Sequence, residues 1–240
     1  MADGSEKYRS YYAKLICTAA KLDDPRIEEA FRSVKREPFA GPGPWWLNLG
    51  GHPYVQTPDD DPAFLYQNLL LALDREREIN IGMPSAHAYW LGASNVKEAE
   101  TVVQVGAGSG YYTAILAHLV STSGRVYAYE IDEGLAACSR QPERRASGGA
   151  ANAIGHRGGF AAGRPDLCLC WCRAAKPHVA RRFATQRAPL VPLSPQGVLG
   201  GMLLITRPDQ GFAWPAKFLG RAAFIGCVGL QDKETGRRLT

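Results

Sequence analysis

The chain has 240 residues, a formal net charge of +5 and 45% hydrophobic residues, which is enough for one α/β domain with a sizeable core. No apolar run approaches the roughly 18 to 20 residues that cross a bilayer. The polar N-terminal segment also lacks the apolar centre of a signal peptide. We therefore expect a cytoplasmic protein with no membrane partner.

The positive charge is concentrated in one segment. Between Cys138 and Ala188 there are ten Lys or Arg residues and only two acidic ones, which leaves 18 of the 28 basic and 21 of the 23 acidic residues for the rest of the chain. The basic residues alternate with Gly and Ala rather than with aromatic residues that stack on bases, so we do not expect a nucleic-acid partner. The run Cys168, Cys170 and Cys172 lacks the paired spacing of structural zinc sites, so no metal site is expected.

The first 95 residues are predicted to form a helical extension. Residues from about Pro25 to Val34 place their apolar side chains on one helical face, and prolines and glycines between positions 38 and 44 end this helical pattern. A second helix is predicted over Ala63–Leu73, after a stretch rich in acidic residues that favour a helix N-terminus. A third helix is expected after the segment INIGMPSAHAYWLGA, leading up to the next strand.

The stretch Glu100–Asp132 predicts a strand, a glycine turn, a helix and a second strand. The apolar run around Val102–Val105 is typical of a parallel strand buried on both faces. The turn Gly106–Gly110 is followed at once by a helical pattern from Tyr111, so free backbone N–H groups would face a ligand there. The second strand ends at Glu130, 22 residues beyond Gly108, about where such units place a carboxylate for ribose hydroxyls. This pattern indicates a cofactor that contains adenosine.

The glycine spacing distinguishes between cofactors. Dinucleotide-binding units usually have G-x-G-x-x-G, whereas this chain has G-x-G-x-G. The spacing resembles motif I of the S-adenosylmethionine (SAM)-dependent methyltransferases and makes a dehydrogenase the weaker alternative. A tight turn with no ligand is the structural alternative, and the surrounding strand, helix and acidic residue favour the cofactor site.

An ordered set of segments resembles the protein-L-isoaspartate O-methyltransferase family. The segments are RIEEAFRSVKREPFAGP, INIGMPSAHAYWL, VVQVGAGSGYYTAILAHLV, GRVYAYEID, PLVPLSP and GGMLLITRPDQGF, and they cover most of residues 25–137 and 188–240. The resemblance implies methyl transfer from SAM to the free α-carboxylate of L-isoaspartyl residues in damaged proteins or peptides. It also implies that the cofactor lies against seven residues: Gly106, Ala107, Gly108, Ser109, Gly110, Glu130 and Ile131.

The acceptor side departs from the family pattern. The family often has Ser or Thr in a segment similar to I-S-x-P beside the methyl group, and this chain has Gly82 at that point. Ser85 is the predicted substitute, and His87 is a candidate for contact with the substrate carboxylate or for acid–base work. The alternative for His87 is a helix histidine satisfied by a neighbouring backbone group. A related methyltransferase with another substrate stays open for this reason. A degenerate protein that only binds also stays open, because of the Arg-rich segment between Cys138 and Ala188.

The resemblance implies a doubly wound, mostly parallel sheet of the SAM-dependent methyltransferase fold, with an N-terminal helical extension and a C-terminal antiparallel hairpin. All 240 residues are expected to form a single domain, with residues 96–240 in the sheet. The hairpin is predicted from a strand over Gly201–Thr206, a turn near Pro208 and a partner strand over Ala222–Gly229. The sequence makes no statement on oligomeric state.

The resemblance fails over residues 138–189, where the fold needs two further strands. One explanation is a basic insertion. Another, which we prefer, is a shifted reading frame, because plausible codons for His178–Ala188 read one base later give Thr-Trp-Leu-Asp-Ala-Leu-Arg-Pro-Asn-Gly, a helix end and turn. The same shift converts Asp166–Cys172 into Ile-Tyr-Val-Tyr-Ala-Gly, a buried strand. On this hypothesis the chain as written lacks its central strands and binds SAM weakly.

Overall fold

The computed structural model describes residues 5–48, 53–139, 152–155, 167–170, 190–193, 199–206 and 214–224. Its first three helices are α1 (Glu6–Ala19), α2 (Pro25–Ser33) and α3 (Glu37–Ala40). The sequence predicted α2 and missed α1. Helix α2 begins where expected because the Asp24 carboxylate accepts a hydrogen bond from the Arg26 N–H at 3.0 Å and Pro25 occupies the first helical position.

A small antiparallel sheet comes after the helices, so the extension is not purely helical. Its strands are β1 (Trp46–Asn48), β2 (Val55–Gln56), β3 (Leu70–Asp74) and β4 (Ile79–Asn80), in the order β2-β1-β3-β4.

The predicted helix over Ala63–Leu73 is therefore wrong. A single 3-10 turn spans Pro62–Leu65, and Tyr66 then leaves the helical region with φ −91° and ψ 50°. The leucines beyond this turn pair with β1 instead, and Leu71 is buried opposite Leu47. A short apolar run with sheet partners on both sides forms a strand, and periodicity alone does not separate the two cases.

The central unit matches the sequence prediction from residue 100 to residue 130. The third helix, expected after the segment INIGMPSAHAYWLGA, lies within that segment instead, because Pro84 occupies the first helical position. Helix α4 (Pro84–Ser94) leads to strand β5 (Thr101–Val105), helix α5 (Tyr111–Val120), strand β6 (Arg125–Tyr129) and helix α6 (Glu133–Ser139). Helix α5 is buried at nine of its ten positions, since it lies between the sheet and the N-terminal helices. A helix that is apolar on all sides requires such cover.

The large sheet has seven strands. The further strands are β7 (Asn152–Gly155), β8 (Leu167–Cys170), β9 (Leu190–Leu193), β10 (Gly200–Ile205) and β11 (Ala216–Ala222). The order is β11-β10-β9-β8-β5-β6-β7, with β5 to β9 parallel and β10 antiparallel to both its neighbours.

Two expectations about this sheet are wrong. The central strands are present, because β8 pairs with β5 from Val102 to Val105 and the Leu-Cys-Leu-Cys segment is apolar enough to serve as a strand. The partner strand of the hairpin is Ala216–Ala222 rather than Ala222–Gly229. The Thr206 N–H donates to the Pro215 carbonyl and Ile205 pairs with Ala216, which places the strand earlier in the chain. The predicted turn near Pro208 lies outside the described residues. Residues 225–229 and most of residues 138–189 lie outside the described part.

One apolar core joins the extension to the sheet. Its buried members come from the N-terminal helices, from α5 and from the strands on both sides of β5; they include Tyr12, Phe31, Tyr111, Ile115, Val102, Leu190 and Met202. Because α5 belongs to this core, the loop that precedes it is held in place from both sides.

Candidate functional site

The loop Gly106–Gly110 lies at the junction of β5 and α5, as the sequence predicts. Gly106, Gly108 and Gly110 all have positive φ, at 81°, 58° and 93°, a region that side chains disfavour. The Gly106 and Ala107 N–H groups both donate to the Tyr129 carbonyl, at 2.9 and 3.2 Å. These bonds tie the loop to the end of β6.

Glu130 comes directly after β6 and faces this loop. One of its carboxylate oxygens accepts a hydrogen bond from the Gly108 N–H at 2.7 Å, and the other accepts from the Ile131 and Asp132 N–H groups at 2.8 and 3.0 Å. The carboxylate oxygen bonded to Gly108 retains a lone pair for a further donor. The structure thus brings together the loop and the acidic residue that the sequence assigned to one site.

Two features of this crevice suit an adenosine-containing ligand. The Ser109 hydroxyl is buried and has no hydrogen-bond partner among the described residues, so a polar group of a ligand would satisfy it. Ile131, next to the carboxylate, is 47% exposed and offers an apolar surface for a base. The Gly106, Ala107, Gly108 and Gly110 N–H groups all donate within the protein, so the expectation that they face a ligand is wrong. The crevice fits SAM instead through the Ser109 hydroxyl, an acceptor at Glu130 and an apolar side chain beside it.

A hairpin of residues 70–80, formed by β3 and β4, reaches this crevice, which the sequence did not indicate. A side chain on Gly108 would lie 3.7 Å from the Leu73 methyl group, so Leu73 packs close to the loop. The Arg77 guanidinium forms an ion pair with Asp132 at 2.6 Å. The Leu135 N–H and then Arg77 hold the pKa of the Asp132 carboxyl below its usual value.

The turn Ile81–Pro84 lies at the start of α4, and the sequence resemblance predicts that it forms the acceptor side of the candidate site. The Gly82 N–H donates to the Asn80 side-chain oxygen at 2.9 Å. Ser85 is half-buried in the first turn of α4, and its N–H donates to Asn68 at 3.0 Å. Among the described residues, no hydrogen bond joins Ser85 to the glycine loop, so its predicted role stays a prediction.

His87 is buried, and its environment disfavours proton transfer. Burial lowers its pKa to about 3, and the positive charge of Arg36 adds to this, while the contact of Nδ1 with the Met83 carbonyl at 3.0 Å opposes it. A neutral imidazole held by a backbone carbonyl is the second of the two interpretations that the sequence allowed. The geometry favours it over acid–base work.

Tyr112 is a residue that sequence reasoning missed. Its ring stacks on the His87 ring with 3.7 Å between centroids and 1° between planes. Its hydroxyl donates to the Gly82 carbonyl at 3.2 Å. The tyrosine pair directly after the glycine loop was the available signal, since a side chain two residues beyond Gly110 starts next to the crevice.

Several polar and aromatic residues of the central unit and the extension have ordinary structural positions. Gln104 is buried beneath the loop and accepts a hydrogen bond from the Thr113 hydroxyl at 2.8 Å. Trp45 and Trp90 belong to the core, whereas Tyr89 is 36% exposed. Within the described ranges, no cluster of three or more His, Cys, Asp or Glu residues is arranged to hold a metal ion. In the same ranges no helix has the length and apolar character of a membrane span.

The sheet order and the loop after its central strand are those of the SAM-dependent methyltransferase fold. A solved structure named protein-L-isoaspartate O-methyltransferase superimposes with a TM-score of 0.70 over 92% of this chain and 66% of its own, at 17% identity. That similarity concerns the fold alone.

Sequence comparison is more specific. Residues 13–150 match the family described as Protein-L-isoaspartate(D-aspartate) O-methyltransferase (PCMT), and the chain belongs to this family. It is 32% identical to Protein-L-isoaspartate O-methyltransferase 2 of Pelobacter propionicus, over 77% of this chain and 68% of that protein. The protein of the same name from Anaeromyxobacter is 29% identical, over 80% of this chain and 67% of that protein. With Protein-L-isoaspartate O-methyltransferase of Ignicoccus hospitalis the identity is 30% over 57% of this chain, and the match spans about half of that relative, 55%.

Proposed function

We propose that this chain transfers a methyl group from SAM to the α-carboxylate of L-isoaspartyl residues in damaged proteins. The observation that carries the proposal is the facing pair of the Gly106–Gly110 loop and Glu130, joined at 2.7 Å, in a member of the PCMT family. The names of the relatives supply the substrate class, and the loop and carboxylate supply the site for the cofactor.

The residues around the crevice have separable roles in this proposal. The Ser109 hydroxyl would hold a polar group of the cofactor, Glu130 its ribose hydroxyls, and Ile131 the face of its base. The turn at Gly82 lies next to the start of α5, because Tyr112 contacts it, so the acceptor would approach from that side.

The chemistry asks little of the side chains. When bound, SAM supplies a methyl group made electrophilic by its sulfonium, and a carboxylate oxygen accepts it without a proton transfer. Orientation and charge therefore matter more than a general base. A neutral His87 with a pKa of about 3 is compatible with this requirement.

The direct test is methyl transfer from labelled SAM to two peptides that differ in a single linkage, L-isoaspartyl or ordinary L-aspartyl. We expect label only on the isoaspartyl peptide, as an alkali-labile ester. Glu130→Gln should weaken SAM binding about tenfold or more, because a charged hydrogen-bond acceptor becomes a neutral amide. Glu133→Gln, at an exposed position on α6, is the matched control and should bind SAM as the wild type does.

One observation favours a second candidate, a related methyltransferase with another acceptor. Gly82 provides no hydroxyl where the family often has one, and its backbone does not suit a side chain. Calorimetric binding of SAM without label on either peptide would select this candidate. Failure to bind SAM would instead select a degenerate protein that only binds other partners.

We also propose that residues 1–240 act as a single methyltransferase domain, which the continuous core across the extension and the sheet supports. The cytoplasmic location stays a prediction from the sequence, and cell fractionation is its test.

A further inference from the structure

Gly82 lies in a position that excludes a side chain for two independent reasons. Its φ of +89° is in the region that L-residues rarely adopt. A Cβ built on it would lie 2.4 Å from the His87 Cε1 atom and 3.3 Å from each ring nitrogen. The imidazole of His87 thus fills the space into which a side chain at position 82 would extend.

His87 is held firmly in that space. Its ring lies flat on Tyr112 at 3.7 Å, it is tilted against Trp90 at 5.1 Å, and its Nδ1 contacts the Met83 carbonyl at 3.0 Å. The side chain is only 7% exposed. A stacked ring, a tilted ring and a backbone contact leave the imidazole little freedom to make room for a larger residue at position 82.

The Tyr112 hydroxyl ends at this same turn. It donates to the Gly82 carbonyl at 3.2 Å; Tyr112 itself is only 4% exposed and Gly82 is half-buried, so the hydroxyl is a buried group at a turn that borders the core. Burial raises the pKa of Tyr112 well above its ordinary value, so the group stays a neutral donor. A phenol O–H rotates, and it forms a stronger hydrogen bond with a carboxylate than with a backbone carbonyl.

We propose that His87 and Tyr112 form an aromatic clamp that holds the Ile81–Pro84 turn against the start of α5, from where the Tyr112 hydroxyl can rotate from the Gly82 carbonyl to the acceptor carboxylate. His87 is the positioning residue of this clamp. Its ring fits there because Gly82 has no side chain. The inference rests on the proposed function, because it names the group that orients the acceptor of that reaction.

The first experiment compares two neighbouring tyrosines on α5. Tyr112→Phe should lower kcat/KM for the isoaspartyl peptide about tenfold or more while the Kd for SAM stays within twofold, since the hydroxyl contacts the Gly82 turn and the acceptor but not the cofactor. Tyr111→Phe is the matched control, because the Tyr111 hydroxyl contacts Tyr12 in the core at 3.4 Å; it should keep the wild-type kcat/KM. Full activity in Tyr112→Phe, or an equal loss in Tyr111→Phe, overturns the proposal.

The second experiment separates positioning from proton transfer at His87. His87→Phe keeps a flat ring on Tyr112 and should retain most of the activity, whereas His87→Ala should lower kcat/KM without changing the Kd for SAM. The pH profile of kcat should have the same shape in the wild type and in His87→Phe. If a limb of that profile disappears in His87→Phe, the histidine transfers a proton and the proposal is wrong.

The third experiment tests the clamp by thermal stability and does not depend on activity. Gly82→Ala should lower Tm by roughly 5 °C or more in the wild-type background and by clearly less in the His87→Ala background, where the space is free. Equal losses in both backgrounds contradict the clamp. If the wild type binds SAM but methylates no isoaspartyl peptide, the proposed function and the acceptor role of Tyr112 fail together, and this cycle still decides whether the clamp exists.

Discussion

At the scale of single residues, the fully buried Arg36 shapes the electrostatics behind the site. Its Nη1 donates to the Leu65 and Gln67 carbonyls at 2.6 and 3.3 Å, and its guanidinium lies 5.4 and 5.2 Å from the centroids of the Tyr12 and Tyr111 rings. Its Nε and Nη2 have no hydrogen-bond partner among the described residues. A buried cation compensated largely by aromatic faces opposes a second positive charge nearby.

The low pKa of His87 predicts that the stability of the fold depends on pH. The unfolded chain protonates this imidazole below about pH 6.5, whereas the folded chain does so only near pH 3. The unfolded state then binds more protons, so the free energy of unfolding falls as the pH drops through this window, by at most about 1.4 kcal/mol per pH unit. His87→Phe should remove this contribution, and urea unfolding at pH 7, 6, 5 and 4 measures it.

The difference in free energy of unfolding between His87→Phe and the wild type should grow in favour of the variant as the pH falls. His118 is a half-buried residue in the C-terminal turn of α5, and His118→Phe is the control. A constant difference across the four pH values would contradict the low pKa of His87.

Some site residues are brought together by elements that follow one another along the chain, and others by the packing of elements that are distant in sequence. Gly106–Gly110 and Glu130 were predictable, because strand, turn, helix and strand succeed one another along the chain and bring the loop to the end of the second strand. The contact of Tyr112 with Gly82 joins residues 30 positions apart and depends on how α4 packs on α5. No pattern in the sequence reports such a contact.

At the scale of elements, the β3–β4 hairpin is a cover that the sequence did not predict. It touches both sides of the crevice, through Leu73 near Gly108 and through the ion pair of Arg77 with Asp132. The apolar run Ala63–Leu73 was predicted to be a helix. Its C-terminal part forms a strand because it pairs with β1, which is distant in sequence, and the run itself does not show that partner. Glycine and acidic signals mark the ends of elements well, whereas short apolar runs do not identify the element type.

Removing the ion pair should loosen this cover. Because Arg77 is 58% exposed, solvent screens the pair, and Arg77→Ala should raise the Kd for SAM by no more than about fivefold, mainly through faster dissociation. The effect should shrink in high salt. Stopped-flow dissociation of SAM is the measurement.

Arg75→Ala is the control for this change. Its guanidinium lies 4.2 Å from the centroid of the Trp46 ring, so the variant removes a cation from the same hairpin without touching Asp132. Equal effects of the two substitutions would mean that the hairpin responds to charge in general rather than to this pair.

At the scale of the whole molecule, one core joins the extension to the seven-stranded sheet. The strands β7, β8 and β9 complete that sheet within the segment where the family resemblance fails and at its end. Their presence removes the expectation that the central strands are missing. The reading-frame hypothesis itself remains a prediction, and sequencing the gene in related strains tests it.

A shared core predicts a single cooperative unfolding transition. Calorimetry should show one peak, and SAM at about 100 times its Kd should stabilise the fold by about 2.7 kcal/mol, which corresponds to a rise in Tm of roughly 5 to 10 °C. Two separate transitions would contradict the single domain. A Tm unchanged by SAM would show that the loop and Glu130 do not hold it.

The two N–H groups that the Tyr129 carbonyl anchors have a consequence for evolution of the family pattern. Because Gly106 and Ala107 are bonded to the end of β6 by main-chain atoms, that attachment does not depend on the side chains of the residues around the crevice. Substitutions among the residues around the crevice can change which acceptor is preferred, while the Gly106–Gly110 loop that faces Glu130 keeps its geometry. Members that have exchanged one substrate for another should therefore still be recovered on immobilised adenosine.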